Sequence, residues 1–488
     1  MTAAASITGH IGDRQRVRAV IGALGLSGAV FLTGGVVAYL LAAGLWFVVV
    51  ALLVALPAFV VLHRVPLAAI VIWAVAAPYL LQTGGAVRYS YWAVHRALPL
   101  IVLVVLVASR MLGIRTRPLG RLGAPELLML AYLVVSLLSV GYTSVDATAS
   151  FMNLYDRVVI PMCLYLVVRL ARPSEEALRL LVPVAAFTVL AQGAIGAASW
   201  IAPGVLPTDW LGREGTRTVG SLGSPSVYGV TMLAAGAFCL HAAASARRPA
   251  TRIALRVIFA VAVLMAVVTF TRGVWLAALL VVVATAIAHP RQLRRVAVAV
   301  VPLIVVLLLT GAASGQIDTI EARFANEQTA LSRLPVALAS VRMLEEKPLT
   351  GWGFGNFDEF DRDFQAEASG FFPEKDHSSH NLYLTLLAEQ GLIGTLLFLG
   401  PAIWLLARTV AVYPWLPRSG WRSRKLVVLL WGVLAAHVAV NNFSNMKVVF
   451  GLGQWWLVLG LIATVVSTRP TREPDLPSAL RVRHQGTR

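Results

Sequence analysis

At 488 residues, 58% of them hydrophobic and only 13% charged, the chain is too apolar for a soluble globular domain, where about a quarter of residues carry charge. Its net charge of +18 would point a soluble protein towards nucleic acid. In a membrane protein the same excess marks cytoplasmic loops, so nucleic acid is not an expected partner. The two cysteines, Cys163 and Cys239, lie in apolar stretches. They exclude a disulfide framework and zinc spacing and read as buried thiols.

Taken in order, apolar runs of the length that crosses a bilayer predict about fourteen helices. Their limits are near 18–40, 43–62, 66–82, 94–113, 124–141, 157–171, 178–201, 224–245, 252–270, 273–288, 296–312, 380–409, 424–443 and 447–467. The run at 157–171 is short for a span. No signal-peptide pattern precedes the first run, which is expected to remain as an anchor. Alternating the spans from a cytoplasmic N-terminus puts 28 of the 41 Lys and Arg on cytoplasmic segments. Only 7 fall on the opposite side outside one long loop, so both termini are expected in the cytoplasm.

Four segments follow. Residues 1–312 form the first part of the bundle. Residues 313–379 form an extracytoplasmic cap. Residues 380–468 complete the bundle, and 469–488 make a basic, disordered cytoplasmic tail. Within the cap, Leu331, Leu334, Leu338, Val341, Met343 and Leu344 recur at helical spacing, which predicts an amphipathic helix on the membrane face. The stretch GWGFGNF reads as tight glycine turns, with Trp352, Phe354 and Phe357 anchoring the cap at the interface. It neither follows a strand nor forms a nucleotide-binding fingerprint.

Polar chemistry gathers near the next helix, in HSSHNLYLTLLAEQG. Ser378 or Ser379 is the expected cap, placing His380 in the first turn. The positive field of exposed N–H groups there disfavours the imidazolium, and a neutral imidazole can serve as a general base. The competing reading is a wetted interfacial histidine. Asp376, His377 and His380 do not make a firm zinc set, so no metal is expected.

Among the few arginines on the non-cytoplasmic side, Arg272 stands in the tight hairpin VVTFTRGVW. A guanidinium so close to hydrocarbon is costly and demands an anion, either a carboxylate, a lipid phosphate or a diphosphate gripped by its fork. Arg213 and Arg217 precede GSPS, a capped helix start. Arg157 adjoins Asp156, so a local pair competes with a functional reading. Arg88 and Arg96 belong to the same exterior set.

These residues carry a resemblance. PLTGWGFGNF, a polar loop, and HNLYLTLLAEQGLIG resemble the signature region of the O-antigen ligase and O-antigen polymerase superfamily. His380, Asn381, Gly391 and Gly394 fit its histidine pattern. TFTRG resembles its Ser-Arg-Gly hairpin with Thr271 in place of serine, and RTVGSLGSPSVYG resembles its Arg-x-x-Gly…Pro-Asn segment with Ser226 in place of asparagine. The resemblance covers roughly residues 210–400. It implies an all-α polytopic membrane protein with a GT-C-type bundle of about 12–14 transmembrane helices and one large extracytoplasmic loop.

It also implies a bacterial inner-membrane glycosyltransferase without cofactor or metal. The donor would be a polyprenyl-diphosphate-linked glycan and the acceptor a hydroxyl of a glycan, lipid or protein, with membrane lipids as surroundings. His380 would be the base; Arg217 and Arg272 would hold the diphosphate and stabilise it as it leaves. Arg213, Arg157, Arg88 and Asn381 would assist binding. A polymerase of the same superfamily and a non-enzymatic flippase for lipid-linked glycans are the alternatives. The flippase would need polar residues along a path at mid-membrane depth, for which Glu389 is the main candidate.

Overall fold

A computed structural model describes residues 62–80, 90–114, 119–212, 217–309, 333–366, 379–444 and 449–467. The chain divides into two compact units, Met1–Val65 and Pro66–Arg488, and the helices named below belong to the second. The expected spans at 18–40 and 43–62 and the tail from 469 lie outside the described residues.

From 66–82 onward, each expected span meets a helix. In chain order these are α1 (Leu67–Leu80), α2 (Trp92–Met111), α3 (Ala124–Thr143), α4 (Ala147–Ala171), α5 (Glu175–Ile201), α6 (Pro225–Ser245), α7 (Pro249–Val267), α8 (Arg272–Ala288) and α9 (Pro290–Leu309). Two cap helices follow, α10 (Leu334–Glu346) and α11 (Phe357–Ala366), and then α12 (Leu382–Val412), α13 (Arg424–Asn441) and α14 (Val449–Val466). Nine helices among the described residues are long and apolar enough to cross a bilayer. The class is therefore an all-α polytopic membrane protein.

The bundle is apolar inside and out. Trp73, Tyr165, Trp455 and Trp456 are fully buried, while Leu190, Ile253, Leu264, Leu279 and Leu396 stand exposed on outer faces. In water such faces would aggregate; in a bilayer they meet lipid. The helices approach one another at small residues, as membrane helices do. A methyl group on Gly236 would lie 2.6 Å from Ala262, and one on Gly432 would overlap Ala284. Cys163 and Cys239 are buried and free, as expected.

The short span expected at 157–171 is corrected to a 25-residue helix, α4. Hydropathy misses its first turns because they are polar, but that polarity is satisfied within the protein. Asp146 caps the helix through the Ala149 N–H at 2.9 Å, and Ser150 bonds Ser144. Asp156 receives both arms of the Arg96 guanidinium at 2.6 Å each. Asp156, the neighbour of Arg157, thus closes a bidentate bridge from α2 to α4.

The cap helix α10 departs from its expected face. Val336, Ala339, Ser340 and Met343 are buried, Val336 and Met343 in one cluster with Phe357 and Ala388, whereas Leu334, Leu338 and Val341 are exposed. Leu331 lies outside the described residues, and of the rest of the expected apolar set only Met343 is fully buried. The aromatics of the glycine-rich loop are corrected likewise. Phe354 and Phe357 are buried in protein rather than set at an interface, and Trp352 packs on Phe360 and Phe364 beneath the Lys347 ammonium.

Helix connectivity gives the bundle two chemically different ends. Arg247, Arg248, Arg252, Arg291, Arg294, Arg295, Arg422 and Lys425 lie where α6, α8 and α12 end and α7, α9 and α13 begin. There His289, just past α8, bonds His241 at 3.0 Å. Burial, then His241 and Lys425, hold the His289 pKa down at about 4. A depressed histidine pKa means that the unfolded chain binds more protons between about pH 6.5 and 4, so stability falls as pH drops through that window. The thermal midpoint should fall between pH 7 and pH 5, and His289→Gln should flatten that slope. An unchanged slope in the variant would refute the assignment.

Candidate active site

The opposite end of the bundle is built from three turns. In the first, α7 stops at Val267 because Thr269, Phe270 and Thr271 reverse the chain. The Thr269 hydroxyl donates to the Ala266 carbonyl at 2.7 Å, the Thr271 hydroxyl to the Thr269 carbonyl at 3.0 Å, and the Trp275 indole to the Val267 carbonyl at 2.8 Å. Phe270 takes the left-handed conformation, φ 48°, which is costly for an aromatic residue. Arg272 becomes the first residue of α8. Gly273 leaves room for Phe443, which a methyl group there would approach to 3.0 Å.

The second turn presents Arg217. Leu211 and Thr218 form an antiparallel bridge, and Gly212 permits the Arg217 backbone to pass. The Trp200 indole N–H donates to the buried Thr218 hydroxyl at 2.8 Å. This tethers the turn to the end of α5.

The third turn carries His380, and it corrects the expected cap. Asn381, not Ser378 or Ser379, is the N-cap of α12; its side-chain oxygen accepts from Tyr383 N–H at 2.9 Å and Leu384 N–H at 3.2 Å. His380 therefore lies one residue before the cap, outside the first turn of the helix. It holds a left-handed φ of 49°. The Ser379 hydroxyl braces this corner by donating to the Asn381 carbonyl at 2.8 Å.

The three turns meet. One cavity of about 280 Å³ is lined by Arg217, Thr271, Arg272, Arg333, His380 and Asn381, with Phe443 beyond α13 closing one side. Among the described residues, three that are not glycine hold a positive φ, and two of them, Phe270 and His380, line this cavity. Strain held in place by surrounding structure concentrates at working sites. Arg333 is a lining residue that the sequence reading does not single out. It immediately precedes α10, and its Nη1 donates to the Phe443 carbonyl at 3.3 Å. Burial, and then the nearby Arg272 guanidinium, lower its pKa. The signal that marks it is its place directly ahead of an amphipathic helix, where a loop-wide charge count hides it.

Arg157 does not line this cavity. It lies within electrostatic reach of Glu389, Asp358 and Asp156, in a π-helical turn of α4. Arg88, Arg213, Asp376 and His377 lie outside the described residues.

The glycine-rich loop explains how α12 is held. The helix breaks at Gly391, whose φ of 61° and ψ of −162° are not helical. An unbroken helix would bond Leu392 N–H to the Ala388 carbonyl and Ile393 N–H to the Glu389 carbonyl. Here the loop enters between them. Trp352 N–H and Gly353 N–H donate to the Ala388 and Glu389 carbonyls at 2.9 and 2.7 Å. Leu392 N–H and Ile393 N–H donate to the Pro348 and Leu349 carbonyls at 2.9 and 3.2 Å.

Two lost helical bonds are thus replaced by four bonds to the loop, leaving neither pair of groups at the break orphaned. Such close approach requires glycine. A methyl group on Gly351 would overlap the Glu389 backbone, and one on Gly391 would overlap that of Leu349. Asn356 fastens the loop to α3 by donating to the Thr143 carbonyl at 2.7 Å. Buried Glu389 accepts Phe357 N–H at 3.3 Å, and the Gln390 amide donates to Ser136 at 2.9 Å.

A membrane-spanning helical bundle with a cationic, histidine-bearing cavity at one end defines the class. Residues 229–399 match the family model described as O-antigen ligase, a similarity that supports the O-antigen ligase and polymerase superfamily. The matched stretch runs from the second turn of α6 into α12, past its break. It contains Arg272, Arg333 and His380 and begins after Arg217. No curated protein matches the chain.

Proposed function

We propose that this protein transfers a glycan from a polyprenyl diphosphate carrier to an acceptor hydroxyl, with inversion and without metal. The observation that carries the reading is the single cavity shared by His380, Arg217 and Arg272. His380 accepts the proton of the acceptor hydroxyl as its oxygen bonds to the anomeric carbon. The bond from that carbon to the diphosphate breaks on the opposite face, and its electrons pass to the diphosphate oxygen. Arg217 and Arg272 meet that growing charge with planar donor forks; in-line displacement inverts the centre. Asn381 contributes by capping α12 and so fixing the backbone next to His380.

Charge supports an orientation. The helix ends remote from the cavity carry the arginines and Lys425 named above, and basic ends face the cytoplasm. The cavity then opens on the extracytoplasmic side of a bacterial inner membrane, in a GT-C-type bundle. A polymerase would use the same cavity and differ in its acceptor, a growing glycan in place of a lipid or protein hydroxyl.

The test is reconstitution of the purified protein with a polyprenyl-diphosphate-linked glycan and candidate acceptors. Glycan should appear on the acceptor as free polyprenyl diphosphate accumulates, at a rate unaffected by EDTA. Inactivation by EDTA that added metal reverses would remove the metal-free mechanism, and an unconsumed donor would remove the reading itself.

A further inference from the structure

Next to the cationic cavity lies a second hollow of different chemistry. It has a volume of about 210 Å³ and is lined by Ala197, Trp200 and Ile201 of α5 with Met265, Val268 and Phe270 of α7 and its turn. Phe270 lines both hollows. The strained turn thus offers the Phe270 ring as a dividing wall and sends Thr271 and Arg272 into the cavity. A second tie joins them, because the Trp200 indole bonds Thr218, the neighbour of Arg217. The Trp200 and Phe270 rings lie 5.8 Å apart. With the one polar atom of Trp200 engaged by Thr218, what the groove offers is hydrocarbon.

The groove continues onto lipid-facing surface. Ile201 and Trp200 are exposed, as are Phe187 and Leu190 further along α5 and Leu264 and Val267 on α7. An occupant reaching both hollows must be anionic at one end and apolar directly beside it, with the apolar part extending along exposed helix faces. The groove is smaller than a site for a whole drug-sized ligand, which suits a short section of a long chain.

We infer that this α5–α7 groove seats the first isoprene units of the donor's polyprenyl chain, next to the diphosphate, with Phe270 as the wall between head and tail. The inference rests on the diphosphate reading of the cavity and adds to it a subsite for the lipid. Burying a few methylene-sized groups in the groove should strengthen binding by roughly tenfold or more.

Full-length protein in nanodiscs, titrated with inorganic diphosphate and with farnesyl diphosphate, tests it. Wild-type protein should bind the farnesyl compound at least about tenfold more tightly. Ala197→Phe fills the groove from α5, and Met265→Trp fills it from α7. Either should abolish the farnesyl advantage while leaving inorganic diphosphate binding within about twofold. Leu396→Phe, on the exposed outer face of α12, should change neither.

A farnesyl advantage that survives both filled variants would overturn the groove assignment, as would equal loss of both ligands. A wild type that binds diphosphate with no farnesyl advantage overturns the groove and spares the cavity. A wild type that binds neither overturns both. A photoreactive group on the first isoprene unit gives a reading without any variant. It should label the peptides containing Trp200 and Val268, and labelling confined to other helices would refute the proposal.

Discussion

Replacing His380 with asparagine should slow glycan transfer by about 10²–10⁴-fold, the usual contribution of a positioned general base, while leaving the amount of folded protein unchanged. Asparagine is the informative choice because of the backbone. His380 sits at φ 49°, a conformation that asparagine adopts far more readily than most residues. Alanine adopts that conformation less readily than histidine or asparagine and would mix a conformational effect with a chemical one. Asn381 would still cap α12, and the Ser379 brace on its carbonyl would remain. What disappears is the imidazole. Turnover near that of wild type in this variant would end the assignment of His380 as base, whatever the fate of the arginines.

Much of the bundle is legible in the amino-acid sequence, for physical reasons. Hydrocarbon thickness sets helix length, so the spans from α2 to α14 can be read from apolar runs. Arg272 stands out because a guanidinium at a two-helix hairpin is costly beside lipid. Its convergence with Arg217 and His380 in one cavity is tertiary and lies beyond a helix count. The polar start of α4 escapes a hydropathy reading because its bonding partners, Arg96 and Ser144, are set by packing.

The position of the α12 cap is hidden for a subtler reason. Serine and asparagine cap about equally well, and sequence does not report that His380 takes a positive φ, which ends the loop and moves the cap to Asn381. Aromatic residues next to lipid usually belong at an interface, which is why the loop aromatics read as anchors. Phe354 and Phe357 instead fill space under a loop drawn inward by its pairing with α12.

Gly391→Ala is expected to be severely destabilising, and its sign discriminates between two structures. In a continuous helix, alanine for glycine stabilises by about 0.8–1 kcal/mol. At the break in α12, φ 61° and ψ −162° belong to a region that is essentially restricted to glycine, with a cost of about 1–3 kcal/mol for another residue. The added methyl group would also overlap the Leu349 backbone. The chain can relieve that overlap only by separating the loop from α12. Doing so breaks the pairing of Trp352, Gly353, Leu392 and Ile393 and strands backbone groups of both partners. Because α10 and α11 pack on this joint and Arg333 enters the cavity from the start of α10, the cap would shift with the loop. Thermal unfolding of the purified variant should begin well below that of wild type, and protease should cut the 348–356 loop more readily. A variant more stable than wild type would mean that α12 is unbroken at Gly391, and the glycines of GWGFGNF would then lack the role assigned to them.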